Sequence, residues 1–199
     1  MIGLHQSINS LLPDSQKRVI QFLGTRDNEG TSSIVREFAI VSVMKFGKST
    51  LLLDASGQYN SALNITSVNC LEETIQNNEP IDKAIYQVAD SSLFLCQFFK
   101  EAYSTPKIFD SFVIDDLLKK LTLRFDLILI DSPPSTTFSI SLAVSNKISG
   151  VVLIMEAEKT RWPVVDSIKD TIMKKGGKVL GIVLNKRRYY IPDFIYKRL

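Results

Sequence analysis

The 199-residue chain has little of what most often does chemistry unaided. Its one histidine, His5, stands near a terminus expected to be mobile, which argues against histidine-based catalysis. Its two cysteines, Cys70 and Cys96, are far apart and lack any spacing that would suggest a metal site or a redox pair. Cys96, inside Leu93-Phe94-Leu95-Cys96, reads as a small buried hydrophobe. No apolar run approaches the roughly 18 residues of a membrane span. No secretory signal opens the chain, so a cytoplasmic location is expected. The net charge of +3 is too small to argue for nucleic acid. Most of the excess falls late, at Lys174, Lys175, Lys178, Lys186, Arg187, Arg188, Lys197 and Arg198. That edge reads first as a solvated surface complementing helix ends, and second as a face for a membrane or an acidic partner. Repeats, low-complexity tracts and linkers are also lacking, so residues 1–199 are expected to form one domain.

What is present is an alternation. Apolar β-rich runs at Val19–Leu23, Thr50–Leu53, Leu93–Phe98, Leu127–Ile130, Val151–Met155 and Val179–Leu184 alternate with helical patterns at Ser32–Phe46, Asp110–Thr122 and Val164–Lys175. Continuous runs such as Leu127-Ile-Leu-Ile130 suit strands buried on both faces, as in a parallel sheet covered by helices. In the first helix Ile34, Val35, Phe38, Val41 and Met44 form the expected inward stripe, and Gly47 stops it. The series implies a doubly wound α/β fold of three layers, α/β/α, with a mainly parallel sheet and a ligand site at the carboxyl ends of the strands.

At the end of the first strand stands Gly24-Thr25-Arg26-Asp27-Asn28-Glu29-Gly30-Thr31-Ser32-Ser33, a strand–loop–helix phosphate loop without its lysine. In such a loop the lysine neutralises β- and γ-phosphate charge and the next hydroxyl holds magnesium. Here Thr31 occupies the lysine position and Ser32 keeps the hydroxyl. Asp54 ends the second strand, and Asp131 ends Leu127–Ile130 just before Ser132-Pro133-Pro134. A carboxylate at a strand tip beside a phosphate loop can order magnesium or its water shell; the plainer alternative for Asp131 is a turn residue.

The loop, Leu51-Leu-Leu-Asp54, and Phe125-Asp-Leu-Ile-Leu-Ile-Asp131-Ser-Pro-Pro134 resemble the Walker A, A′ and B motifs of the bacterial tyrosine autokinases. These are the CpsD/CapB-type capsular and exopolysaccharide kinases, related to the MinD/ParA ATPases. Gly150–Met155, Glu158–Arg161 and Gly181–Arg188 are similar to the same family, and the likeness runs in order from about Val19 to Leu199. The resemblance implies a P-loop NTPase fold, with ATP or ADP and Mg2+ as cofactors. Thr25, Arg26, Asp27, Asn28, Glu29, Gly30, Thr31, Ser32 and Ser33 would wrap the phosphates. Ser32, Asp54 and Asp131 would hold magnesium, Asp54 and Asp131 being the catalytic carboxylates of an active enzyme. Asn185 would recognise adenine, unless it is simply a strand-end turn residue.

The departures from that pattern fall in one site. Thr31 removes a full positive charge, Ser56 stands where the A′ pattern has a second acid, and Asp27-Asn28 replace a proline–glycine pair. The family's aspartate after the double proline is not evident in Ser135–Ser141. Arg26, Arg36 and Lys48 are the candidate substitutes for the lost charge. Leu4–Leu12 resembles the end of the family's first helix without its Glu and Arg oligomerisation motif, so ring assembly is unsupported and homo-oligomerisation stays open. Residues 1–17 read as an N-terminal helix or arm. Residues 187–199 read as a tail packed on the body, because Tyr189, Tyr190, Phe194 and Tyr196 alternate with aliphatics.

The expected function is therefore that of a catalytically weakened kinase relative in exopolysaccharide or capsule biosynthesis. It would act as a regulatory or scaffold partner of the cytoplasmic part of a membrane chain-length or export protein, at the inner face of the membrane. An active ATP-dependent autokinase and a MinD/ParA-like ATPase switch are the alternatives.

Overall fold

In the computed structural model, residues 1–12, 18–57, 59, 69–98, 111–134 and 142–187 are described. Its centre is the strand the apolar run announces: β5 (Leu127–Ser132) is buried at every residue. Around it lie β1 (Arg18–Gly24), β2 (Thr50–Asp54), β3 (Ile85–Gln87), β4 (Leu93–Gln97), β6 (Gly150–Glu156) and β7 (Val179–Asn185). The seven strands run in the order β3-β4-β2-β5-β1-β6-β7. All neighbours are parallel except β3 and β4, so the short, partly exposed β3 closes one edge as an antiparallel strand. Three residues are too few to stand out as a periodic run, which is why the sequence pattern misses β3.

Helices α1 (Ile2–Leu11), α2 (Thr31–Phe46), α3 (Leu71–Gln76), α4 (Ser111–Arg124) and α5 (Trp162–Lys174) cover the sheet. From β1 the chain crosses to β2 on one side, and from β5 it passes to β6 on the other. The topology thus reverses direction about β1, where open α/β sheets place their ligands. α1 and α2 pack with Ile20, Phe22, Leu52, Leu129 and Ile154 on one face. α3 and α4 pack with Leu51, Leu53, Ile128 and Ile130 on the other. Beside them α5 buries Val165, Ile168 and Ile172 against Leu23, Val151 and Leu153.

Two expectations change. In α2 the buried face is Ile34, Val35, Phe38, Ala39 and Ser42, whereas Met44 is 75% exposed. The helix turns its polar Ser42 inward because that hydroxyl donates to the Phe38 carbonyl at 2.7 Å, leaving no unmet donor. His5 is not at a mobile end. It is buried and stacked on Phe46 with ring centroids 3.7 Å apart and on Phe38 at 5.2 Å, which ties α1 to α2. Cys96 is fully buried, and burial pushes its thiol well above the usual range. Cys70 instead caps α3, its sulfur accepting from the Glu73 amide. Among the described residues no helix is long and apolar enough to cross a membrane. Of the packed tail expected over residues 187–199, all but Arg187 lies outside the described residues, as do Ser135–Ser141.

Candidate functional site: a phosphate loop facing two carboxylates

The site begins where β1 stops. The chain leaves Gly24, turns through Asn28 in the left-handed region (φ 62°), and enters α2 at Gly30 (φ 87°). Gly30 is required twice over. Its φ disfavours a side chain, and a Cβ there would crowd the Asn185 side-chain nitrogen. The loop residues Arg26 to Ser33, with Ser132, Pro133, Pro134 and Lys186, line a cleft of about 310 Å³ at the helix N-terminus. Backbone N–H groups and the helix dipole make such a cleft suited to anions.

The loop holds its shape through Glu29. This carboxylate is buried and accepts from the Thr25 amide (2.6 Å), the Thr25 hydroxyl (2.7 Å) and the Arg26 amide (2.9 Å). It also accepts from the Glu156 amide (3.3 Å) and the Thr160 hydroxyl, so it pins the loop to the end of β6. The Glu29 and Thr25 side chains are therefore structural groups beneath the loop, although Glu29 also lines the cleft. Asn185 works from the other side, donating from Nδ2 to the Glu29 carbonyl at 2.8 Å. The Thr31 hydroxyl points back under the strand end, 2.8 Å from where a Gly24 Cβ would sit.

Opposite the loop, the parallel register pairs Asp54 with Asp131 at the ends of β2 and β5. Both are buried. Asp54 is fully engaged: Oδ1 accepts from the Ser56 amide (2.9 Å), the Ser56 hydroxyl (2.8 Å) and the Gly57 amide (2.8 Å), and Oδ2 accepts from the Tyr59 amide (3.0 Å). It closes the turn after β2. The Ser56 hydroxyl also lies 3.2 Å from Asp131 Oδ2 and bridges the two carboxylates, where a second acid would have repelled both. Asp131 is different. Its Oδ1 has no hydrogen-bond partner among the described residues. Burial, aided by the nearby Asp54 charge, raises its carboxyl to about 7, against the pull of hydrogen bonds from Ser32, Ser56 and Tyr59.

Tyr59 is the residue sequence reasoning did not single out. Its hydroxyl donates to the Ser32 carbonyl at 2.8 Å and also reaches Asp131, so the ring closes the space between the helix start and the β5 carboxylate. Burial first, then the charges of Asp131 and Asp54, keep the phenol protonated far above its ordinary value. Its signal was present but faint: an aromatic five positions beyond a strand-end aspartate.

The candidate replacements for the lost lysine separate clearly. Lys48 lies beyond the far end of α2, whose 16 residues span about 24 Å at a rise of about 1.5 Å each, so it does not serve the loop. Arg36 stands one turn inside α2, within electrostatic reach of Tyr59 but not on the cleft. Arg26 lines the cleft, and so does Lys186, which the sequence places in a basic edge and in the family-like stretch Gly181–Arg188 without a role at the loop.

No family model matches the chain. It is 23% identical over 176 residues to the tyrosine-protein kinase CpsD of Streptococcus agalactiae, covering 86% of this chain and 75% of that protein. The fold superposes on the kinase domain of the Escherichia coli tyrosine kinase ETK with a TM-score of 0.81 at 16% identity, covering 96% of this chain and 77% of the other. It also superposes on the septum site-determining protein MinD of Pyrococcus horikoshii, solved with Mg-ADP, with a TM-score of 0.68 at 17% identity over 91% and 76% of the two chains. The chain is thus a relative of the CpsD/CapB-type bacterial tyrosine-protein kinases, built on the P-loop NTPase fold that MinD also uses.

Proposed function

We propose that this domain binds nucleotide in the cleft after β1 and serves exopolysaccharide or capsule biosynthesis as a kinase-like regulatory partner with weakened phosphoryl transfer. The partner class this reading favours is the cytoplasmic part of a membrane chain-length or export protein, met at the inner face of the membrane. Kinship with the CpsD-type kinases supports the biological setting.

The donor set fits the phosphates of a nucleotide: a left-handed Gly30, a free helix start and a loop pinned from below by Glu29. It also fits a cation at Asp131 and Ser32, because the buried Asp131 Oδ1 is an acceptor without a donor among the described residues. Magnesium held there would neutralise charge on the β- and γ-phosphates. Loop amides would orient the phosphates, and the Ser32 hydroxyl and Asp131 would fix the cation. In this reading Asn185 holds the loop through Glu29, in addition to any contact with adenine.

The observation that carries weakened transfer is Asp54. An autokinase needs this carboxylate near magnesium and the acceptor hydroxyl, yet both its oxygens are taken by the turn at Ser56, Gly57 and Tyr59. Thr31 deepens the loss, since a short hydroxyl turned under Gly24 cannot reach a phosphate as lysine does. The test is calorimetric titration with ATP and ADP, with and without magnesium, beside Ser32→Ala. Magnesium-dependent binding that weakens in the variant supports the reading, and no heat at millimolar nucleotide refutes it.

The unpartnered Asp131 oxygen also favours a second reading, a working autokinase. Phosphotyrosine that accumulates with Mg–ATP and is lost in Asp131→Asn would establish it. Its candidate acceptors, Tyr189, Tyr190 and Tyr196, lie outside the described residues.

A further inference from the structure

The sequence takes one lysine out of the phosphate loop, and the fold brings another to its rim. β7 ends at Asn185, and the chain then turns at Lys186 through the left-handed region (φ 56°). A non-glycine residue rarely sits there without a reason in its surroundings. The turn lays the lysine side chain over the loop. Nζ donates to the Asn28 carbonyl, and Cε lies 3.9 Å from where a Gly30 Cβ would be. Nζ also forms an ion pair with the Glu156 carboxylate at 3.6 Å, which it shares with Lys159 at 3.3 Å. Among the described residues, Lys186 therefore stands over the cleft with its charge met by one neutral carbonyl and by a carboxylate it shares with Lys159.

From this placement we infer that Lys186 is the phosphate-neutralising cation of this site, supplied from the end of β7 in place of the residue that Thr31 replaced. The inference rests on the proposed nucleotide binding and assigns the group that makes it workable. A phosphate oxygen is a stronger acceptor for an ammonium than a peptide carbonyl. The four-carbon stem lets Nζ leave Asn28 by side-chain rotation alone, with the backbone turn unchanged. Arg26, the other cation lining the cleft among the described residues, sits within the loop at its exposed outer side. Asn185 strengthens the assignment: bonded to the Glu29 carbonyl, it fixes the end of β7 to the loop that Lys186 overlies. Loop and cation are thus positioned as one unit.

The test is calorimetry of the purified chain with ATP, ADP and AMP, comparing wild type with Lys186→Gln, Lys186→Arg and Lys186→Gln combined with Thr31→Lys. Thermal melting checks that each variant folds. Losing one charge-assisted phosphate contact should weaken ATP binding roughly 10- to 100-fold. The loss should be smaller for ADP and slight for AMP. Lys186→Arg should keep most of the affinity, and Thr31→Lys should restore ATP binding to the Lys186→Gln chain. Equal weakening of all three nucleotides, or none, overturns the role of Lys186 while leaving nucleotide binding intact. Wild type that takes up no ATP at millimolar concentration removes the proposed nucleotide binding itself, and the role of Lys186 with it.

Discussion

Replacing Asp131 by asparagine should shift stability in favour of the variant as the pH rises from 4 to 8, and the gain should fade as the solution is acidified. Asp131 is fully buried at the tip of β5, faces the Asp54 carboxylate, and leaves Oδ1 without a partner among the described residues. Its carboxyl is raised from an ordinary 3.8 to about 7. At about 1.4 kcal/mol per tenfold change in proton affinity, that corresponds to roughly 4 kcal/mol between the two protonation states. The direction follows from linkage. A group that holds its proton more tightly in the folded chain contributes stability that is fully present below pH 3.8 and is lost as the pH rises through about 7. Asparagine keeps the shape and never ionises, so it lacks this dependence. Urea denaturation followed by circular dichroism at pH 4, 5, 6, 7 and 8 gives the difference between variant and wild type at each pH. Asparagine's amide hydrogens meet the hydroxyls of Ser32, Ser56 and Tyr59 differently, and that offset is independent of pH. The decisive quantity is therefore the slope. The difference should move in favour of the variant by a few kcal/mol, up to about 4, between pH 4 and pH 8. A difference that stays flat across this range refutes the reasoning that burial and Asp54 hold a proton on Asp131.

Three further outcomes follow from the same geometry. His5 has its pKa lowered, by burial first and then by Arg18 and Lys48, so its contribution to stability should be present above pH 6.5 and decline as the pH falls below it. A His5→Phe chain should lose that part of the acid sensitivity in thermal melts between pH 7 and pH 5. Gly30→Ala should destabilise by about 1 kcal/mol, because a left-handed φ opposes a side chain and the methyl group would crowd the Asn185 amide. Glu29→Gln turns donor hydrogens toward groups that are themselves donors, so it should cost about 1–3 kcal/mol in urea denaturation and speed amide exchange in the loop.

Much of the framework was legible in the sequence. Six strands and three helices appear where apolar periodicity puts them, because a parallel sheet covered on both faces requires long apolar runs and cannot hide them among polar residues. The loop was readable from glycine spacing, and Asp54 and Asp131 from their places at the ends of such runs. Short elements escaped. β3 and α3 span three and six residues, too little for a period to show. The burial of His5 escaped as well, since aromatic stacking across two helices joins residues some forty positions apart.

The sequence alone determined that this chain forms a doubly wound sheet and that a glycine-bounded loop carrying Thr31 before Ser32 joins its first strand to the helix that follows, since both depend on residue type and local order. The tertiary structure decided what those residues do. It committed Asp54 to a turn, seated Tyr59 between Ser32 and Asp131, left one buried carboxylate oxygen unpartnered among the described residues, and laid Lys186 over a loop 158 residues away. Such assignments depend on distances between strand ends. Parallel register sets these distances only once the whole sheet has assembled.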